Sequence, residues 1–185
     1  MAKQLMKYVS LCLLAMFAFS ASGFAEDLSN PWVHVFSTTD KTFTEDGTVN
    51  LSGVEWTLAV DWGTNSSDYN KDATDGMKIG SNTKAPESMT LTSSADGFPG
   101  TITSVKVTAK ARSKALPHLT VTVGGTTFKY GDADYAEVAS SATEYEFTGS
   151  GSGSIVVKYE HTGSTKGAFY VKQLEVHILP AVWKR

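Results

Sequence analysis

Residues 102 to 112 read ITSVKVTAKAR, a stretch in which apolar and polar side chains alternate almost without a break. Successive side chains of an extended strand point to opposite faces. Period two therefore places Val105, Val107, Ala109 and Ala111 inward and Lys106, Thr108, Lys110 and Arg112 outward. A helix would scatter the same pattern around its circumference. Nowhere in residues 26 to 185 do apolar residues recur convincingly at i, i+3, i+4, i+7 over a helical length, so the chain is held to an all-β solution.

Further strands follow from the same rule. Leu119 to Val123 alternates, Gly124-Gly125 supplies a two-residue turn tolerant of positive φ, and Thr126 to Tyr130 returns, which is a hairpin signature. Segments 144–148, 154–159 and 168–178 read as three more strands, joined by the glycine-rich turns GSGSG and TGSTKG. Upstream, Trp32 to Ser37, Val54 to Trp62, Met77 to Ile79 and Met89 to Thr92 bring the total to roughly eight or nine. That many short antiparallel segments in one chain predict a two-sheet antiparallel sandwich with jelly-roll or Greek-key connections. Two longer connections, about 63–75 and 131–142, interrupt the rhythm. A sandwich carries such loops at its ends, where ligands bind.

The N-terminus has a different character. Lys3 and Lys7 precede an apolar run from about Tyr8 to Phe19, and small residues end at Gly23-Phe24-Ala25, the pattern of a secretory signal peptide cleaved after Ala25. The run is too short, and too soon followed by Glu26-Asp27, for a membrane-spanning helix. Residues 26–185 are then expected to form one domain. Cys12 leaves with the leader, so neither a disulfide framework nor a thiol nucleophile is available. The whole chain has 16 basic and 19 acidic residues; losing Lys3 and Lys7 leaves 14 against 19 and moves the net charge from −3 to −5. That balance gives no electrostatic reason to expect nucleic acid or an anionic membrane as partner, and it suits a secreted soluble domain.

The order of segments resembles a β-sandwich module common in secreted proteins of Bacteroidetes-type bacteria, related in shape to galactose-binding-like and carbohydrate-binding domains. The matching stretches are VEWT at 54–57, GMKIGS at 76–81, ITSVKV at 102–107, LTVTVGGT at 119–126, GSIVV at 153–157 with Tyr159, and FYVKQLEV at 169–176. These are strand and turn patterns, so the resemblance implies a jelly-roll, galactose-binding-like fold more than an activity. For function it implies glycan binding, attachment of a partner enzyme, or surface adhesion. Residues 26–185 read as this module alone, so the expectation is a free-standing binding protein.

Candidate sites follow from the two long loops. Sugars are bound by an aromatic face that stacks on C–H groups and by a few polar side chains that fix hydroxyls. Trp62 and Tyr69 flank the first loop and Tyr130 and Tyr135 the second, whereas Trp56 and Trp32 alternate with apolar positions and belong to the core. Asp68, Asn70, Asp72 and Asp75 have the D-x-N-x-D spacing of calcium ligands, and galactose-binding-like folds often carry a structural ion. The EF-hand form is excluded, because it needs Gly and Glu where this chain has Ala73 and Ile79. A solvated polar loop is the competing account of those residues. Histidines 34, 118, 161 and 177 show no metalloenzyme spacing, and no G-x-S-x-G elbow or phosphate loop appears. The expectation is thus a non-enzymatic, secreted carbohydrate-binding module without a required cofactor. The alternative is a surface or matrix domain that binds another protein.

Overall fold

The computed structural model describes residues 28–37, 42–72, 75–112 and 114–179, with backbone alone for 70–72. The signal-peptide expectation, Cys12 and the C-terminal Trp183 lie outside the described residues. Within them the chain forms thirteen strands: β1 (Trp32–Val35), β2 (Gly47–Leu51), β3 (Val54–Asp61), β4 (Tyr69–Asp72), β5 (Gly76–Ile79), β6 (Ser88–Ser93), β7 (Thr101–Ala111), β8 (His118–Val123), β9 (Thr126–Phe128), β10 (Ala136–Glu137), β11 (Thr143–Gly151), β12 (Ile155–Glu160) and β13 (Phe169–Leu179). Sheet A runs β11-β7-β13-β5-β4, with β1 also on β13; sheet B runs β10-β8-β12-β6-β3-β2, with β9 also on β8. All pairings are antiparallel. From β3 onward the longer strands alternate between the sheets, the connectivity expected of a jelly roll.

The expected count of eight or nine was too low because short and polar strands escape a periodicity search. Strand β4 lies inside what the sequence presents as the loop 63–75, and β10 inside the loop 131–142. Both take their conformation from a neighbour that needs pairing: Tyr69 to Asp72 lie against Ile79 to Gly76, and Ala136-Glu137 against Leu119-His118.

The alternation in β7 holds where it was strongest. Val105, Val107, Ala109 and Ala111 are at most 1% exposed. Its phase changes upstream, where Ile102, Ser104 and Val105 are all buried. A register shift in the β7–β13 ladder between His177 and Ile178 accommodates the extra residue, as a β-bulge does.

One continuous core fills the space between the sheets. Trp32 of sheet A stacks on Trp56 of sheet B with ring centres 5.9 Å apart, and Phe98 meets Trp32 edge-on at 5.2 Å. The β8–β9 turn places Gly124 and Gly125 at φ +55 and +82, the twisted turn a two-residue hairpin demands.

Candidate functional site

Cross-strand register orders one end of the sandwich. Asp61, Ser88, Glu160, His118 and Glu137 face one another in a single row across β3, β6, β12, β8 and β10. Trp62 leaves one end of that row and Tyr135 enters β10 near the other. Four interstrand steps of about 4.8 Å separate them, roughly 19 Å. The two aromatic pairs expected from sequence therefore lie at opposite edges of this end of the sandwich, one where β3 of sheet B comes near β4 of sheet A and the other beside β10, and do not form one platform.

At the first edge Trp62 and Tyr69 do meet, edge to face, with ring centres 5.4 Å apart. Both are half-buried and pack against the core. The Tyr69 hydroxyl donates to Asp46 Oδ1 at 2.5 Å, and the same oxygen accepts the Val60 amide at 3.1 Å. Partial burial first, and the adjoining Asp46 second, raise the Tyr69 phenol above its usual pKa. Asp46 also lines a shallow cavity of about 320 Å³ formed by residues 42–49, to which neither ring contributes. The phenol of this pair is thus engaged within the protein, and the two rings hold one another edge to face.

At the second edge the chain makes a tight hairpin. Tyr130 and Ala133 exchange amide-to-carbonyl bonds of 2.9 and 3.1 Å around Gly131, whose φ is +59. Lys129 and Asp134 pair just below the turn. Lys129 is also bonded in both directions to Thr148 of β11, at 2.9 and 2.8 Å, which ties the hairpin to sheet A. Tyr130 leans on the buried rings of Tyr145 and Phe147, each 5.8 Å away, and closes the side of the core while remaining 40% exposed. Tyr135 lies parallel on the His118 imidazole, 3.8 Å between centres and 14° between planes. His118 lies against one face of the ring, and Tyr135 remains 41% exposed. Among the described residues, Tyr130 and Tyr135 are the only exposed aromatic side chains.

The proposed calcium set is described only in part, because the side chains of Asn70 and Asp72 lie outside the described residues. Asp68 precedes β4, and Asn70 and Asp72 lie within it. Extended backbone advances about 3.3 Å per residue, so Asp68 and Asp72 are separated by roughly 13 Å along the chain. Asp75 is paired with Lys110. Among the described residues no group of three or more His, Cys, Asp or Glu side chains could hold a metal ion.

The histidines are dispersed. His34 Nδ1 lies 3.0 Å from Ser52 Oγ, His161 Nε2 lies 3.1 Å from the Gly167 carbonyl, and His177 Nε2 lies 2.7 Å from Glu175. Burial lowers the pKa of both His34 and His161. Sequence reasoning missed Asp46 and His118, which join their aromatic partners only through register. The alternation of HLTVTV was the available sign that His118 faces outward.

No family model matches this chain, and no curated protein matches it in sequence. Among solved structures, the crystal structure of the CBM36-1 domain of a multidomain xylanase from the hindgut metagenome of Trinervitermes trinervoides is similar. It is 12% identical, with a TM-score of 0.38, covering 68% of this chain and 99% of that one.

Proposed function

We propose that this chain is an exported, non-enzymatic carbohydrate-binding module whose platform is the 129–135 hairpin. The observation that carries the reading is Tyr135, stacked on His118 and 41% exposed. An aromatic ring fixed in this way offers a sugar a flat C–H contact without losing side-chain freedom on binding. Tyr130 extends the aromatic surface, and Asp132, Asp134 and Lys129 supply polar groups at its margin. The dispersed histidines give no support to a catalytic centre, and the N-terminal leader pattern supports export.

The test is retention on immobilised neutral polysaccharides by affinity electrophoresis. Tyr135→Ala should weaken retention by about tenfold or more, equivalent to about 1.4 kcal/mol, with the melting temperature unchanged. Wild-type retention by that variant would remove the site. Retention should not respond to a chelator, because the proposed platform is the hairpin and not the acidic segment around β4.

A second reading, a protein-docking domain, is favoured by Val33 and Val35. They are 37% and 58% exposed on β1. It predicts a complex abolished by Val35→Glu and indifferent to Tyr135→Ala.

A further inference from the structure

The two outer faces of the sandwich differ in chemistry. On sheet A, Lys106 sits 3.5 Å from both Glu144 and Glu175, His177 bonds Glu175, and Lys110 pairs with Asp75. Lys78 and Lys110 also lie 5.8 and 4.9 Å from the ring centre of Tyr170. That face is a mesh of paired charges.

Sheet B is different. Its register aligns Thr48, Thr57, Thr92, Val156, Thr122 and Thr127 in one row across the strands. The adjacent row runs Ala59, Thr90, Lys158 and Thr120. Alternate burial in β6 and β8 leaves Thr90, Thr92, Thr120 and Thr122 half-exposed. Within these rows the single charged side chain, Lys158, is matched by Glu160 at 3.0 Å. The result is a field of hydroxyl and methyl groups with acidic residues, Asp61, Glu160 and Glu137, along one margin.

Tyr135 stands at the border of this field. Ala136 pairs with Leu119, so the preceding residue falls level with Thr120, and the Tyr135 ring rests on the outward His118. From Tyr135 the row continues through Thr120, Lys158 and Thr90 to Ala59, four interstrand steps or roughly 19 Å.

We propose that the ligand is an extended, neutral polysaccharide chain. It lies across the outer face of sheet B, with one sugar on Tyr135 and the following sugars over the threonine rows. The inference rests on the carbohydrate reading of Tyr135. Threonine suits such a ligand because its methyl meets C–H surface while its hydroxyl both donates and accepts. Each contact is weak, so affinity accumulates with the number of sugars engaged. The one cation of the field, Lys158, is already matched by Glu160, and with the acidic margin this leaves no unmatched positive charge there for a carboxylated chain, which is selected against.

Calorimetric titration with cello-, xylo- and manno-oligosaccharides from disaccharide to hexasaccharide, beside oligogalacturonates of equal length, tests this. At least one neutral series should gain about tenfold or more in affinity with length, and oligogalacturonate of equal length should bind about tenfold more weakly or worse. Thr90→Arg, remote from the hairpin, should lower hexasaccharide affinity by a similar factor and leave the disaccharide unchanged. Thr92→Arg serves if the first variant melts early. Affinity independent of length, indifference to both arginine variants, or preference for oligogalacturonate overturns the extended neutral chain while Tyr135 keeps its role. Failure of every saccharide to bind overturns the carbohydrate reading and this inference with it.

Discussion

Gly149 offers a measurement of how closely the hairpin is seated. It lies in β11 beside a register shift between Thr148 and Gly151, and its φ is not in the left-handed region. A Cβ added there would lie 2.6, 2.8 and 2.9 Å from three ring atoms of Phe128, which is fully buried and immediately precedes the hairpin. Real Cβ contacts essentially never come so close, so either the ring or β11 must move. Overpacking of this kind costs typically about 1–3 kcal/mol. Against it, alanine restricts the unfolded chain and stabilises by about 0.4–1 kcal/mol. Gly149→Ala should therefore destabilise by about 1–2 kcal/mol, a fall in melting temperature of about 2–8 °C for a domain of this size. The discriminating measurement is a double-mutant cycle by urea denaturation. Phe128→Ala removes all three ring atoms that the new methyl would strike, so in that background the alanine penalty should disappear, a favourable coupling of about 1 kcal/mol or more. Strict additivity, or a Gly149→Ala protein as stable as the wild type, would refute the close approach and with it the rigid seating of Tyr130 and Tyr135.

Phe98→Ala should cost about 3–5 kcal/mol, because it empties the edge of the Trp32–Trp56 stack; intrinsic tryptophan fluorescence during denaturation reports both the loss and the loosened indoles. Tyr69→Phe should cost about 1 kcal/mol or less, since its bond to Asp46 is solvent-exposed, and a larger loss would show that Asp46 organises the 42–49 segment. The histidines set a pH dependence. His161 and His34 titrate below the ordinary value of 6.5, burial being the leading cause for each, so the unfolded chain binds more protons than the folded one as the medium acidifies. Their contribution is whole above 6.5 and is lost as pH falls through the depressed folded values. Lys166, which opposes protonation of His161, and Glu87, which favours it, are the charged groups at that site. The urea midpoint should fall between about pH 7 and pH 5, and His161→Gln should flatten that slope; a rising or unchanged wild-type midpoint would contradict it.

The fold was legible wherever a strand is buried on one face and wet on the other. Strands β7, β8, β11 and β12 announce themselves by alternation, and Gly124-Gly125 fixes the β8–β9 turn. Strand β4 was not legible, because Tyr69-Asn70-Lys71-Asp72 has no apolar alternation and its extension is imposed by β5. The calcium spacing falls on that same polar strand. For the site, sequence identified Tyr130 and Tyr135 as bordering a long connection, and it grouped them with Trp62 and Tyr69 because distance across a sheet is not written in chain order. His118 joins Tyr135 through the short pairing of β10 with β8, a contact set by register on the far side of the intervening β9.

The placement of β9 and β10 on the same side of β8 has a consequence for association. A long, straight outermost strand exposes unpaired amides and carbonyls to which another extended chain can add, and from there growth into fibres can begin. Here β8 is capped on that side by two short strands laid end to end, Thr126–Phe128 and Ala136–Glu137, with the hairpin projecting between them. No incoming strand finds more than three residues of regular partner before meeting the projection. The hairpin that holds the tyrosines outward is thereby also the feature that keeps this border of the sandwich from seeding a polymer.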